Sequence, residues 1–208
     1  MELNAQEDDP QHRPRPRRAD ARRNAEAILI AADAVFAVKG PSASTEEIAH
    51  QADVAIGTVF RHFPTKAALV EAVFVGRLQQ LSDTAQALAA DEDPGHAFFE
   101  FFGHWAELSA VKLTFADALS ADGVDVDASA ARGAYPRVRS ELMSAVETLL
   151  ARGQAAGALR DDIGIAEVNA ILIGAARAAE HTGEDPAVRA RTMRIVVDGL
   201  RPPADAAD

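Results

Sequence analysis

The chain has 208 residues, no cysteine and a formal net charge of −11. That length allows one or two domains with a real core, and the lack of cysteine excludes disulfides, thiolate nucleophiles and thiolate metal sites. Read as a whole, the acidic balance argues against a nucleic-acid partner. The polar, acidic start MELNAQEDDP reads as no secretory signal, and no apolar run approaches the ~18 residues of a membrane span.

Residues 1–20 are expected to be a disordered, basic arm, because Pro10, Pro14 and Pro16 break helix and apolar side chains are nearly absent. From Ala21 the chain reads as helix after helix. Ile28, Ala32, Val35 and Phe36 recur at helical spacing, and Gly40-Pro41 ends that helix. Ser44-Thr45-Glu46-Glu47 is a capping box opening a short helix over 45–52, with Ile48 and Ala49 inward. A tight connection at Asp53-Val54-Ala55 leads to a second short helix over 56–63. Pro64 breaks the chain, and Thr65 caps a long helix starting at Lys66, with Leu69, Val70, Val73, Phe74, Leu78 and Leu81 as its apolar stripe.

After a break at 91–95, residues 97–108 are apolar nearly all round, which predicts a helix enclosed by others, and 111–120 continues helical. An acidic connection is expected at 121–134. An amphipathic helix over 135–156 carries Val138, Leu142, Val146, Leu149 and Leu150. Two further helices, over 165–181 and 187–200, flank a turn at 182–186, and the end of the chain frays. No period-two alternation long enough for a sheet occurs. The fold class is therefore all-α: an N-terminal three-helix helix-turn-helix unit over 21–67, a helical unit over 68–201 and a tail at 202–208.

The charge is unevenly placed. Residues 10–66 hold nine basic and six acidic residues, net +3, leaving twelve basic and twenty-six acidic elsewhere, net −14. Such asymmetry suits a polyanion partner for one part of the chain. Two short helices joined by a tight turn can set the second helix in the major groove of DNA. Gly57 lets the backbone approach closely, Thr58 offers a hydroxyl, Arg61 and His62 supply donors, and Val59 and Phe63 face the core. Lys66 suits a phosphate. The arginines of 13–23 read either as a solvated tail or as an arm reaching the backbone or minor groove.

The stretch TEEIAHQADVAIGTVFRHFPTKAALVEAV at 45–73, with GTVFRHFPTKAALV at 57–70, closely resembles the N-terminal domain of the TetR repressor family. The match extends back to about residue 22; beyond residue 90 it rests on helix order and length. The resemblance implies a cytoplasmic, nucleoid-associated homodimer that binds palindromic operator DNA and releases it on binding a small ligand. It places Ser44 and Thr45 on phosphates, Gly57, Thr58, Arg61 and His62 at the groove and its flanks, and Lys66 on the backbone. Two positions depart from the family pattern. Phe60 stands where tyrosine is common; it lacks the hydroxyl that reaches a phosphate but keeps apolar contact with a thymine methyl. Asp53 stands where glycine is common and tolerates a left-handed conformation.

In the larger unit, the aromatic run 98–105 is either plain core or part of a ligand cavity between helices. Candidate wall residues are Phe102, Trp105, Phe115, Leu119, Tyr135 and Met143, with Arg177 as a polar anchor or, alternatively, an exposed or ion-paired arginine. The expected ligand is small and apolar or amphipathic. The last two helices resemble the family's dimerisation pair: Gly174, Ala175, Ala178 and Ala179 allow close approach, and Met193, Val196, Val197 and Leu200 fill the interface. His96, His104 and His181 are too scattered for a metal site, and no cofactor is expected. No G-x-S-x-G, H-E-x-x-H, P-loop or Rossmann glycine pattern is present, which argues against an enzyme. A DNA-binding regulator with a filled core, answering to a protein or to no ligand, is the alternative.

Overall fold

The computed structural model describes residues 16–121, 134–181 and 185–203. The arm before residue 16, the acidic connection at 122–133, the turn at 182–184 and the tail from 204 lie outside them. Every regular element among the described residues is helical.

Helix α1 spans Pro16–Lys39. It starts five residues before the sequence-based expectation. Proline breaks a helix only in its interior; at the first turn it has no N–H to leave unsatisfied and its φ is already helical. Ile28, Ala32 and Phe36 are buried along one stripe. Gly40, at φ +55°, turns the chain out of α1 into a single 3₁₀ turn, Gly40–Ser42. Helix α2 is Thr45–Gln51 and opens with the expected capping box: Ser44 Oγ accepts from the Glu47 N–H at 3.2 Å, and the Ser44 N–H donates to Glu47 Oε2 at 3.1 Å. Asp53 makes the turn at φ 53°, the left-handed conformation expected of it. Helix α3 is Ile56–His62, seated by Val59 in the core.

Helix α4 spans Lys66–Leu88, with Thr65 Oγ1 accepting from the Ala68 N–H at 3.0 Å. Helix α5, Pro94–Ala121, is one unbroken rod of 28 residues, about 42 Å long at the usual helical rise. Helix α6 is Tyr135–Ala155, α7 is Ile165–His181 and α8 is Pro186–Gly199, capped by Asp185. Helices α4 and α6 pack together, as do α5 and α7, and α8 leans on α7.

Two apolar clusters result, and α4 and α5 run through both. The first gathers Ile28, Phe36, Ile48, Val59, Leu69, Val70 and Val73 with Phe115 and Leu119 from α5. Phe115 meets Phe36 and Phe74 edge-on, with ring centroids 5.1 and 5.8 Å away. The second gathers Phe98, Phe101, Phe102 and Trp105 with Leu142, Val146, Leu149, Leu172 and Leu200. The boundary expected between residues 67 and 68 therefore falls inside the first core, which takes residues from both sides of it.

Three expected cavity-wall residues are core residues instead. Phe102 stacks on Phe98 with centroids 6.2 Å apart, and Phe115 and Leu119 fill the core beneath α1. Because α5 is apolar on most sides, its composition does not reveal which face borders a hollow. Leu200 also departs from expectation: it is fully buried within its own chain. It ends α8, and its carbonyl accepts from the Arg160 N–H at 3.1 Å, so the side chain turns into the core.

Candidate functional site

Helix α3 presents a mixed face to solvent. Its one buried residue, Val59, fixes how the helix sits, while Ile56, Gly57, Phe60 and Arg61 are exposed. Phe60 is 43% exposed, high for a large apolar ring. A Cβ added at Gly57 would meet nothing within 4 Å, and φ there is not positive. The fold itself thus makes no demand for glycine at this position. Thr58 and His62 are half-buried, and His62 lies against Phe63.

The other residues expected at this surface are partly engaged by the protein. The Ser44 hydroxyl is held in the capping box but keeps its own hydrogen for a further acceptor. Thr45 is half-buried at the start of α2. The Lys66 ammonium donates to the Pro41 carbonyl at 2.6 Å and retains further N–H groups. That structural bond was not legible in the sequence, since its acceptor is a backbone atom 25 residues away. Lys39 and Glu47 form an ion pair tying the end of α1 to α2. The Lys39 hydrogen bond, aided by the Ser44 N–H, holds the Glu47 carboxyl below its ordinary range.

In the larger unit a cavity of about 380 Å³ lies between four helices. Phe74 and Leu78 come from α4, Trp105, Leu108, Ser109, Lys112, Leu113 and Ala116 from α5. Tyr135, Arg139, Leu142 and Met143 come from α6, and Asn169, Ile173 and Arg177 from α7. Of the expected wall residues, Trp105, Tyr135, Met143 and Arg177 line it. Lys112, Arg139 and Asn169 were missed, because a polar residue in an amphipathic helix ordinarily reads as solvated face. The available signal was the spacing from Trp105 through Leu108 and Ser109 to Lys112, one helical face.

The charged residues of the lining are all cationic: Lys112, Arg139 and Arg177. Lys112 Nζ donates to the Tyr135 hydroxyl at 2.7 Å and lies 5.1 Å from the ring centroid. Arg177 grips Asp117 with both terminal nitrogens, at 2.5 and 3.1 Å. This hydrogen bond from Arg177 holds the Asp117 carboxyl below its ordinary range.

Outside the cavity, α7 and α8 keep apolar surface. Ile171 and Ile195 are exposed, Ile195 to 73%. Gly174 is exposed and Ala178 half-buried, whereas Ala175 is buried; the Ala179 side chain lies outside the described residues. Met193, Val196 and Val197 are half-buried against their own core. Among the described residues no group of His, Asp and Glu could hold a metal ion, and no helix is long and apolar enough to cross a membrane.

Comparison with known proteins agrees with this architecture. Residues 28–73 match the bacterial regulatory proteins of the tetR family, and residues 93–202 match the SbtR-like transcriptional regulator C-terminal domain. No match was found among curated proteins. A TetR transcription regulatory protein from Mycobacterium vanbaalenii is 36% identical, with a TM-score of 0.64, covering 90% of this chain and 100% of its own. A TetR transcriptional regulator from Streptomyces coelicolor is also 36% identical with a TM-score of 0.64, covering 86% of this chain and 99% of its own. This chain belongs to the TetR family of DNA-binding transcription regulators.

Proposed function

We propose that two copies of this chain bind a palindromic operator in the cytoplasm, repress transcription there, and leave the DNA when a small molecule enters the cavity. The observation that carries the reading is the solvent face of α3, where Gly57, Phe60 and Arg61 stand free on a helix that Val59 anchors. Gly57 permits close approach to the DNA, Thr58 and Arg61 address the groove and its edges, and Phe60 packs on thymine methyl groups. His62, Ser44, Thr45 and Lys66 hold flanking phosphates, fixing register without reading sequence.

The partner copy pairs through α7 and α8, whose Ile171, Gly174, Ala178 and Ile195 leave surface uncovered in one chain, flanked by Met193, Val196 and Val197. Two-fold symmetry would set the α3 helices about 34–36 Å apart, one turn of DNA. Coupling runs along α4. Its Phe74 and Leu78 border the cavity, while its Leu69 and Val70 pack in the same core as Val59. A ligand that moves α4 therefore changes the spacing of the reading helices. The open cavity favours this over a regulator with a filled core.

Selection of bound duplexes from a random pool by the full-length protein tests the DNA claim. Enrichment of a palindrome is expected, with Arg61→Ala weakening binding by about 1–3 kcal/mol. A pool that enriches nothing would overturn the reading. For release, operator and ligand must weaken each other by the same factor, typically about 5–150-fold. Equal ligand affinity with and without operator would sink that part, and a reporter gene downstream of the selected site decides the sign of regulation.

A further inference from the structure

We propose that the cavity selects an amphipathic carboxylate, its head group held by Lys112 and Tyr135 and its apolar body lying against Leu78 and Trp105. This rests on reading the cavity as the effector site and adds the ligand's charge. The lining contains Lys112, Arg139 and Arg177 and no Asp or Glu. Arg177 already has Asp117 beside it. Lys112 is different: it forms no ion pair among the described residues.

Its neighbours are instead a phenol oxygen at 2.7 Å and an aromatic ring. A half-buried ammonium in a hollow lined by no Asp or Glu lacks the negative charge that normally offsets its desolvation. The Tyr135 oxygen accepts from Lys112, which leaves its own hydrogen free to donate. Two donors on one side of a hollow call for an acceptor that brings no hydrogen of its own. A carboxylate answers both, taking N–H from Lys112 and O–H from Tyr135 as charge-assisted bonds. Phe74, Leu78, Trp105 and Leu108 supply an apolar stretch of wall that suits hydrocarbon. An alcohol would bring one weaker acceptor, and an amine would set like charge against Lys112. The volume of about 380 Å³ falls within the range of small-ligand sites, about 300–1,000 Å³.

Trp105 is the only tryptophan in the chain and borders the cavity, so its emission reports occupancy without a label. The full-length protein is titrated with decanoate, decanol and decylamine, and with phenylbutyrate and its alcohol to vary the shape of the body. The carboxylates are expected to bind at least about tenfold more tightly than their alcohols, with the amine weakest. Lys112→Met should erase that preference while leaving the affinity for decanol in place. Tyr135→Phe, which removes a single oxygen atom, should reduce the preference in part; it carries the test alone if Lys112→Met fails to fold. Alcohols binding as well as carboxylates, or a preference that survives both substitutions, would overturn the carboxylate while leaving the cavity as an effector site. No change in Trp105 emission and no rise in Tm with any of the compounds would overturn both.

Discussion

Lys66 Nζ and the Pro41 carbonyl oxygen are 2.6 Å apart, so the first residue of α4 is bonded to the turn that ends α1. The same ammonium is proposed to meet a phosphate, which makes it a strut and a contact at once. Lys66→Ala is expected to lower stability by about 1 kcal/mol and to reduce the salt dependence of operator binding by about one unit of slope. Urea unfolding and operator titrations at several salt concentrations measure the two effects separately. A change in stability with an unaltered salt slope would leave Lys66 only its structural role.

Gly57 offers the converse test. Alanine there enters open space without backbone strain and should raise stability by up to about 1 kcal/mol through helix propensity. If DNA approaches this point of α3, the same methyl group should weaken operator binding by about tenfold or more, a loss of roughly 1.4 kcal/mol. Stabilisation combined with weaker DNA binding is the expected signature, read from Tm and from fluorescence anisotropy on one preparation.

The exposed ring of Phe60 invites a gain rather than a loss. Phe60→Tyr adds a hydroxyl at a position already 43% exposed, so folding should change by less than about 0.5 kcal/mol. A new hydroxyl–phosphate bond should strengthen operator binding by about 0.5–1.5 kcal/mol. Calorimetric titration of both proteins with the selected operator checks this; equal affinities would place the para position of the ring away from the backbone.

The Asp117–Arg177 pair predicts a pH dependence with a definite sign. The Asp117 carboxyl lies below its ordinary value because Arg177 hydrogen-bonds it. Its contribution is therefore present above about pH 4 and is lost as the pH falls through the lowered folded value. Wild type should exceed Asp117→Asn in Tm near neutrality, and the two should converge in acid. A Tm difference that does not shrink at any acid pH at which both proteins remain folded would mean that the pair contributes nothing. The Lys39–Glu47 link between α1 and α2 should loosen over the same acid range.

Local chemistry made much of this molecule readable in advance. Ser44 and Glu47 specify the start of α2 by themselves, Asp53 marks the turn, and the run from Gly57 to Val70 carries the family resemblance that the comparison bears out. What escaped depends on distant neighbours. Phe102, Phe115 and Trp105 are alike in sequence, but only Trp105 borders the hollow, because which side of an apolar helix is left unfilled depends on the helices around it. Nothing local marks Lys112 and Arg139 as bordering a hollow, which forms only where α5 and α6 lie side by side. Leu200 follows the same stripe as Val196 and Val197, but it is the residue where α8 ends, and the chain folds it inward.

Because Phe115 and Leu119 share a core with Val59, which seats α3, the segment before residue 68 is expected not to behave as a portable module. A chimera that exchanged only that segment with a relative would set a foreign helix-turn-helix on this chain's aromatic wedge. Specificity transplants should therefore carry Phe115 and Leu119 together with the partners they pack against. Heating should likewise melt the described helices in one cooperative step, since neither core can be lost without exposing apolar residues of the helices that build the other.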